Sequence, residues 1–211
     1  MRGVGVDAKT LLEYIDVVMK ITRPYTMSAR ADAVRETRER ILEATMSVAA
    51  VKPLAALTLG DVASLAEVTV QTVLRQFDSR ERLLYAVAEH AASQVNQERV
   101  TRVGDVEAAV RTVVAHYERR GDAVLVLLAQ DQWDARVQAV TDNGRAFHRR
   151  WVTEVFAPQL NAHPEREAVL DLLVVSTDIY TWKLLRRDRR LSQARTHARM
   201  LRLVRAVLEG A

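Results

Sequence analysis

Apolar residues recur three and four positions apart along most of the chain, which is the spacing of one face of an α-helix. The first such stripe consists of Val34, Ile41, Ala44 and Val48. Pro53 follows this stripe, at a point where a helix cannot continue. Breaks of this kind are few, since the 211 residues include only seven glycines and four prolines. The pattern predicts an all-α protein.

The same spacing predicts six helices after residue 78. Their predicted ranges are 79–100, 105–119, 123–130, 133–155, 164–187 and 192–209. Gly121, in the stretch "RRGD", is predicted to turn the chain between the second and the third of them. The third helix is short and almost wholly apolar, so we expect it to be buried.

The first 27 residues form a separate segment. Leu11, Ile15 and Val18 fit one short helical stripe, but charged residues among them break the apolar stretch that an export signal needs. The stretch that begins at Met27, "MSARADAVRETRERIL", is typical of a normal protein start. The segment is therefore either an accessory helix or an over-long gene start, and both alternatives stay open.

The composition limits the class of protein. Cysteine is absent, which excludes disulfides, thiolate metal sites and cysteine nucleophiles, and favours a reducing, cytoplasmic location. The five histidines show no metal-binding spacing, and the chain has neither a glycine-rich phosphate loop nor a nucleophile elbow. An enzyme is therefore the less favoured class, and no metal or cofactor is expected. No apolar run reaches the roughly 20 residues that a membrane span needs.

The charge balance is mildly basic, with a formal net charge of +4. Only four of the 31 basic residues are lysines. Arginine forms forked contacts with phosphate or carboxylate groups, so this balance is compatible with a nucleic-acid partner but does not require one.

Two short helices are predicted over 59–66 and from Thr69 to Gln76. Thr58 and Thr69 precede them as N-caps, and we expect the Thr58 hydroxyl to accept from the amide of Asp61. Helices this short are unstable alone in water, so they must pack on each other and on the preceding helix. This arrangement is typical of a helix-turn-helix, whose second helix enters the major groove of DNA.

The segment from Arg38 to Leu84 resembles the tetracycline-repressor (TetR) family. The matching positions are Thr58, Asp61, Val62, Ala63, Ala66, Val68, Thr69, Phe77, Ser79, Glu81, Leu83 and Leu84. Two later stretches, "RRWVTEVFAPQL" and "STDIYTWKLLRRDRRLS", are similar to the C-terminal domains of actinobacterial members. The resemblance implies three regions: an extension (1–27), a helix-turn-helix DNA-binding domain with three helices (28–78), and a helical bundle for ligand binding and dimerisation (79–211).

Three positions depart from the family pattern. Glu67 stands at the turn glycine, Leu74 at a tyrosine, and Gln76 at the position that histidine usually holds. Glu67 places a carboxylate where phosphate approaches, and Leu74 removes a phenol that the family directs to the DNA backbone. These departures keep open an alternative, a helical adaptor of the same fold with weakened or lost DNA binding.

The resemblance also implies a DNA-binding surface. Gln71 and Thr72 begin the second short helix, where amide and hydroxyl groups can reach base edges. Arg80 occupies the family's lysine position and is expected to contact phosphate. The predicted DNA-binding set is Arg38, Thr58, Thr69, Gln71, Thr72, Arg75, Gln76 and Arg80. Ordinary surface residues would show the same pattern, so both interpretations stay open.

In the remaining helices, aromatic and polar residues alternate in an apolar setting. The candidate ligand-binding set is His116, Tyr117, Phe147, His148, Trp151, Asp178, Tyr180 and Trp182. A packed core is the alternative, because aromatic residues at helical spacing are common in cores. Asp178 is expected either to pair with Arg149 or Arg150 or to face a wet cavity and meet a ligand.

Together these patterns predict a homodimeric transcriptional regulator that binds a palindromic double-stranded DNA operator and is released from it by a small-molecule effector. A repressor is the favoured form. The last two helices carry more apolar surface than one bundle can hide, so they are expected to form the dimer. The residues behind that expectation are Trp182, Leu184, Leu185, Ala194, Ala198, Leu201, Val204 and Leu208.

Overall fold

The computed structural model describes residues 30–210, and all regular structure within that range is helical, as predicted. The helices are α1 (30–49), α2 (Leu59–Leu65), α3 (Val70–Phe77), α4 (Arg80–Glu98), α5 (Val106–Leu128), α6 (Ala135–Val155), α7 (Ala157–Asn161), α8 (Arg166–Ser176), α9 (Ile179–Lys183) and α10 (Gln193–Gly210). A 3-10 helix (Leu54–Ala56) precedes α2 and a π-helical turn (Leu184–Asp188) follows α9. No helix among residues 30–210 is long and apolar enough to cross a membrane. The predicted extension, 1–27, lies outside the described residues.

The N-terminal helices share one small core. Ile41 of α1, Val62 of α2 and Val73 of α3 are fully or almost fully buried in it. Leu83 from the first turn of α4 completes the same cluster. Because α2 and α3 are too short to persist alone, this shared burial is what holds them in place.

The C-terminal helices α5 to α10 enclose a second and larger core. It contains aliphatic side chains of α5, α8 and α10 together with Trp151, Phe156 and Trp182. α5 is the central element, because it packs against α6, α9 and α10. α4 links the two cores, with Leu83 in the first and its C-terminal end against α5.

Gly121 does not turn the chain, as the sequence pattern predicted, and α5 runs unbroken from Val106 to Leu128. A Cβ atom at Gly121 would lie 2.6 Å from Cζ3 of Trp182, a side chain with no exposed surface. The glycine therefore allows a bulky indole to approach the backbone of α5. A glycine within a helical pattern can signal such close packing as well as a turn.

The helix predicted over 164–187 is also wrong, because α8 ends at Ser176 and a new helix begins at Ile179. Asp178 caps that new helix and accepts from the amide of Tyr180 at 2.8 Å. The hydroxyl of buried Tyr117 donates to the carbonyl oxygen of Thr177 at 3.1 Å, which satisfies a backbone group that the break exposes. Helical periodicity cannot show such a break, since the apolar spacing continues across it.

The helix predicted over 133–155 needs a smaller correction. Trp133 precedes α6 and is 80% exposed, so it does not share the buried face of Trp151. The helix ends at Val155, and Pro158 lies in the first turn of α7. A proline is tolerated there, since the amide it lacks would have no partner inside the helix.

Candidate functional site

A capping box fixes the start of α2, as the sequence predicted. The Thr58 hydroxyl accepts from the Asp61 amide at 3.1 Å, and the Asp61 carboxylate accepts from the Thr58 amide at 3.0 Å. Lys52 donates to the same carboxylate at 2.7 Å. The hydrogen bonds from Lys52 and Thr58 lower the pKa of Asp61 to about 2. The Thr58 side chain is therefore occupied by the cap, and its DNA contact stays a prediction.

The turn between α2 and α3 is a Schellman motif. The Val68 amide donates to the carbonyl of Ala63 at 2.9 Å, and the Glu67 amide donates to that of Ser64 at 3.3 Å. Glu67 lies at the position that favours glycine in this motif, and its φ of 54° is in the left-handed region. The side chain of Glu67 is exposed, so the turn presents a carboxylate to solvent.

Helix α3 has one buried face and one exposed face. Val73 and Phe77 point into the N-terminal core, while Gln71 and Arg75 are exposed one turn apart on another side. Thr69 caps the helix by accepting from the Thr72 amide at 3.1 Å, and its hydroxyl lies 3.0 Å from that of Thr72. Of the predicted DNA-binding residues, Gln71 and Arg75 have no hydrogen-bond or ion-pair partner in the described part of the chain. Gln76 and Thr72 are half-buried beside them.

The two other arginines of the predicted DNA surface hold protein carbonyls. Arg80 donates from Nε to the carbonyl of Leu57 at 3.0 Å and from Nη2 to that of Leu54 at 2.6 Å. Arg38 donates to the carbonyl of Gln76 at 3.0 Å, and its guanidinium lies 4.2 Å from the centre of the Phe77 ring. Arg38 thus satisfies a carbonyl at the C-terminal end of α3. Both side chains position the helix-turn-helix, and phosphate contact by either stays a prediction.

In the helical bundle, most of the predicted ligand residues surround an arginine that sequence reasoning missed. Arg99 follows α4 directly and is only 5% exposed. We call Arg99, Tyr117, Phe147, His148 and Trp151 the Arg99 cluster. The guanidinium carbon lies 5.2 Å from the ring centre of Tyr117, 5.7 Å from that of Phe147 and 5.3 Å from that of Trp151. The signal that could have found Arg99 is weak, since "ERVTRVGD" contains a second arginine, Arg102, which is exposed.

The hydrogen bond between Arg99 and His148 shows which form of the imidazole is present. Nη1 of Arg99 lies 2.9 Å from Nδ1 of His148, and a guanidinium can only donate. His148 must therefore accept at Nδ1 and be neutral. Burial and the charge of Arg99 lower its pKa to about 3. The backbone carbonyl of Arg99 accepts from Nε1 of Trp151 at 2.8 Å, so this residue is held by both its side chain and its main chain.

His116 lies beside the cluster and links it to α4. Its Nδ1 lies 2.7 Å from Oε2 of Glu98. The other oxygen of this carboxylate, Oε1, accepts from Nη2 of Arg120 at 2.7 Å. Burial and the charge of Arg99 lower the pKa of His116 to about 4. Although burial raises the pKa of Glu98, the hydrogen bonds from Arg120 and His116 lower it to about 2.

The three other predicted ligand residues are not members of the Arg99 cluster. Tyr180 is half-exposed on α9, and Trp182 packs on Gly121 with its Nε1 donating to Glu118 at 2.9 Å. Asp178 is half-buried near the Arg99 cluster, and burial raises its pKa against the hydrogen bonds from the Tyr180 and Ile179 amides.

The predicted ion pair of Asp178 with Arg149 or Arg150 is wrong. Arg149 pairs with Asp171 on α8 instead, because both lie on the outer surface of the bundle. Arg150 lies 5.6 Å from the ring centre of Phe147. The carboxylate of Asp178 is satisfied as a helix cap, a role that makes an arginine partner unnecessary.

Comparison with known proteins places this arrangement among described folds. Residues 41–87 match the family model of bacterial regulatory proteins, tetR family. A transcriptional regulator from Rhodococcus sp. Rha1 has a TM-score of 0.64 at 17% identity, with 82% of this chain and 97% of that chain covered. A Rhodococcus sp. structure assigned to the TetR-family transcriptional regulators has a TM-score of 0.62 at 17% identity, with 82% and 100% covered. No curated protein sequence matches the chain significantly.

Proposed function

We propose that this chain, a DNA-binding regulator of the tetR family, acts as a homodimeric repressor that a small molecule releases from a palindromic operator. The observation that carries the proposal is the exposed face of α3. Gln71 and Arg75 lie on that face without protein partners, while caps at both ends and a buried opposite face hold the helix in place. An amide and a guanidinium are the groups that read bases and hold phosphates in a major groove. We also propose a cytoplasmic location, since operator DNA lies there.

Dimerisation is proposed through α8, α9 and α10 with the π-helical turn. Leu172, Val175, Leu184 and Leu203 are exposed on these elements. Of the residues that suggested this interface, Trp182 and Val204 are instead buried within their own bundle. An exposed apolar surface on the last helices still favours a second copy as its cover. Two copies of α3 would then read major-groove faces about 34–36 Å apart.

The two hydrophobic cores correspond to two domains with different proposed roles. Residues 28–78 are proposed as the DNA-binding domain, and residues 79–211 as the domain for ligand and partner. The Arg99 cluster and its neighbours His116 and Asp178 are the proposed ligand site. α4 runs from the first core to this cluster, so a ligand that moves the end of α4 would also move α3.

A specific observation favours a second function, an adaptor without DNA binding. Arg38 and Arg80 are engaged with protein carbonyls, and Glu67 presents a carboxylate at the turn. Leu74 also replaces the tyrosine that the TetR-family pattern directs to the DNA backbone. These features remove cations and add an anion where phosphate would approach.

An electrophoretic mobility shift with the upstream region of the gene separates the two functions. We expect a sequence-specific complex that random DNA of equal length does not displace, and a stoichiometry of two chains per site. A Gln71→Ala, Arg75→Ala double variant is the control, because both side chains are exposed and their loss should leave the fold intact. A protein that binds neither DNA would support the adaptor, and one that binds both alike would contradict an operator-specific regulator.

A further inference from the structure

We propose that the Arg99 cluster is an anion receptor, and that the effector is a carboxylic acid with an apolar body. Such a site presupposes the ligand-responsive function proposed above and names the chemical class of its ligand. The starting observation is that Arg99 is 5% exposed and has no ion-pair partner. Every carboxylate among the described residues lies beyond ion-pairing distance from its guanidinium.

The guanidinium is also short of hydrogen-bond acceptors. A neutral ring nitrogen, Nδ1 of His148, accepts from Nη1, and Nε of Arg99 is buried without a partner. Buried arginines are normally paired, because an uncompensated charge in a low-dielectric interior is costly. The three aromatic faces around Arg99 offset part of that cost by cation–π attraction, but they do not satisfy the N–H of Nε. A planar fork of donors fits a carboxylate in particular.

The surroundings define the rest of the ligand. Tyr117 and Trp151 are buried and Phe147 is half-buried, so the walls next to the guanidinium are aromatic. A highly charged ligand such as a nucleotide would lose its hydration there without compensation. A single carboxylate on an aromatic or aliphatic body would be compensated by Arg99 and bury its apolar part against the rings.

Phe147 is the side chain that we infer to give access to Arg99. Its ring centre lies 5.7 Å from the guanidinium of the buried Arg99 and 5.6 Å from that of the exposed Arg150. A rotation of this half-buried side chain would open a path to Arg99, and Arg150 would attract an anion to that opening.

The position of Arg99 also explains how a ligand bound there would alter DNA binding. Arg99 directly follows the 19-residue helix α4, and its carbonyl is held by Nε1 of Trp151 at 2.8 Å. A carboxylate that draws the guanidinium away from His148 would pull on this end of α4. The opposite end, about 28 Å away, begins with Arg80, which holds the turn before α2 through two carbonyls.

The test compares acids with their neutral amides. Calorimetric titrations of the full chain would use phenylacetate against phenylacetamide and octanoate against octanamide. For the wild type, we expect each acid to bind about tenfold or more tightly than its amide, because only the acid offers an ionised acceptor. Arg99→Met should abolish this preference, while Arg102→Met, which removes an exposed arginine three positions along the chain, should keep it.

Three results would overturn the proposal: amides that bind as tightly as acids, an unchanged acid preference in Arg99→Met, or no binding of either acid at millimolar concentration. If Arg99→Met does not fold, Arg99→Lys replaces it, and the Kd of the acids should rise about tenfold because the fork is lost. An unchanged Kd in that variant also contradicts the proposal.

Mobility-shift assays distinguish a failure of the anion receptor from a failure of ligand-responsive repression. Acids that bind at Arg99 without releasing DNA would refute ligand-responsive repression, whereas DNA binding without acid binding would refute only the anion receptor.

Discussion

The N-terminal helices and the C-terminal helical bundle use their arginines in opposite ways. In the first half, Arg38 and Arg80 are tied to backbone carbonyls and help to hold short helices in place. In the bundle, Arg99 is more deeply buried, donates to a neutral imidazole and has no ion-pair partner. The first arrangement stabilises the fold, whereas the second keeps a charge without an ion pair inside it. A costly buried group that the fold does not need is a reason to expect a ligand.

Burial of His116 and His148, together with the charge of Arg99, should make the bundle sensitive to acid, and this is the largest effect that we expect. His116 and His148 have folded pKa values of about 4 and about 3, below the ordinary 6.5. The folded state therefore binds fewer protons than the unfolded state, so stability is fully present above pH 6.5 and falls as the pH is lowered towards those values. With both histidines contributing, the slope approaches about 2.7 kcal/mol per pH unit.

Urea unfolding followed from pH 7 to pH 4.5 would measure this slope. His148→Phe should reduce it by about half, since one of the two protons is removed. Arg99→Met should make the total loss of stability smaller and end it at a higher pH, because without the Arg99 charge the folded pKa values of both rings rise towards 6.5. A flat profile in the wild type would show that neither ring is held neutral by the fold.

A second test compares how much one arginine from each half contributes to the stability of the fold. Arg80→Met removes two charge-assisted hydrogen bonds to Leu54 and Leu57, and should lower the free energy of unfolding by about 3 kcal/mol. Arg99→Met, matched in size, should leave that free energy unchanged or higher, because replacing a buried charge by an apolar side chain is often stabilising. Thermal and urea unfolding of both variants would measure the difference. Equal losses would mean that Arg99 is structural, as Arg80 is.

This contrast also shows which structural features could be predicted from the sequence. The capping box of Thr58 and Asp61 was predictable because it depends on residues three positions apart. The resemblance to the TetR family identified Glu67 as the residue at the turn glycine, and its φ of 54° agrees with that position. Local chemistry and helical periodicity therefore predict most of the N-terminal half.

The errors concern contacts between residues far apart in the chain. Gly121 resembled a turn because Trp182, which explains it, lies 61 positions later. The ion pair predicted for Asp178 depended on which helices neighbour it, and the chain instead breaks there so that the aspartate becomes a cap. Arg99 had only a weak local signal, since the packing of α4, α5 and α6 is what buries it. Burial of a charge is a tertiary property, and a single sequence does not reveal it.

A third prediction concerns the free face of α3. Gln71→Ala should weaken operator binding by about 1–3 kcal/mol and leave binding to random DNA nearly unchanged, because a base contact is lost. Arg75→Ala should weaken both complexes alike and reduce the dependence of log K on log salt by about one unit, because a phosphate contact is lost. Arg80→Met tests the phosphate contact predicted for Arg80, and an unchanged salt slope in that variant would show that its guanidinium serves only the carbonyls of Leu54 and Leu57. Equal losses for Gln71→Ala and Arg75→Ala on both DNAs would contradict these roles.

The smallest effect is expected at Glu67, where backbone strain and charge can be separated. Glu67→Gly should stabilise the fold by about 0.5–1 kcal/mol, because glycine adopts a φ of 54° without the steric cost that a side chain carries. It should also raise operator affinity, since a carboxylate no longer faces the phosphates. Glu67→Gln keeps the strain and removes the charge, so it should raise affinity without raising the melting temperature. If Glu67→Gln binds the operator more weakly than the wild type, the carboxylate makes a favourable contact with the protein or with a base, and the turn does not repel DNA.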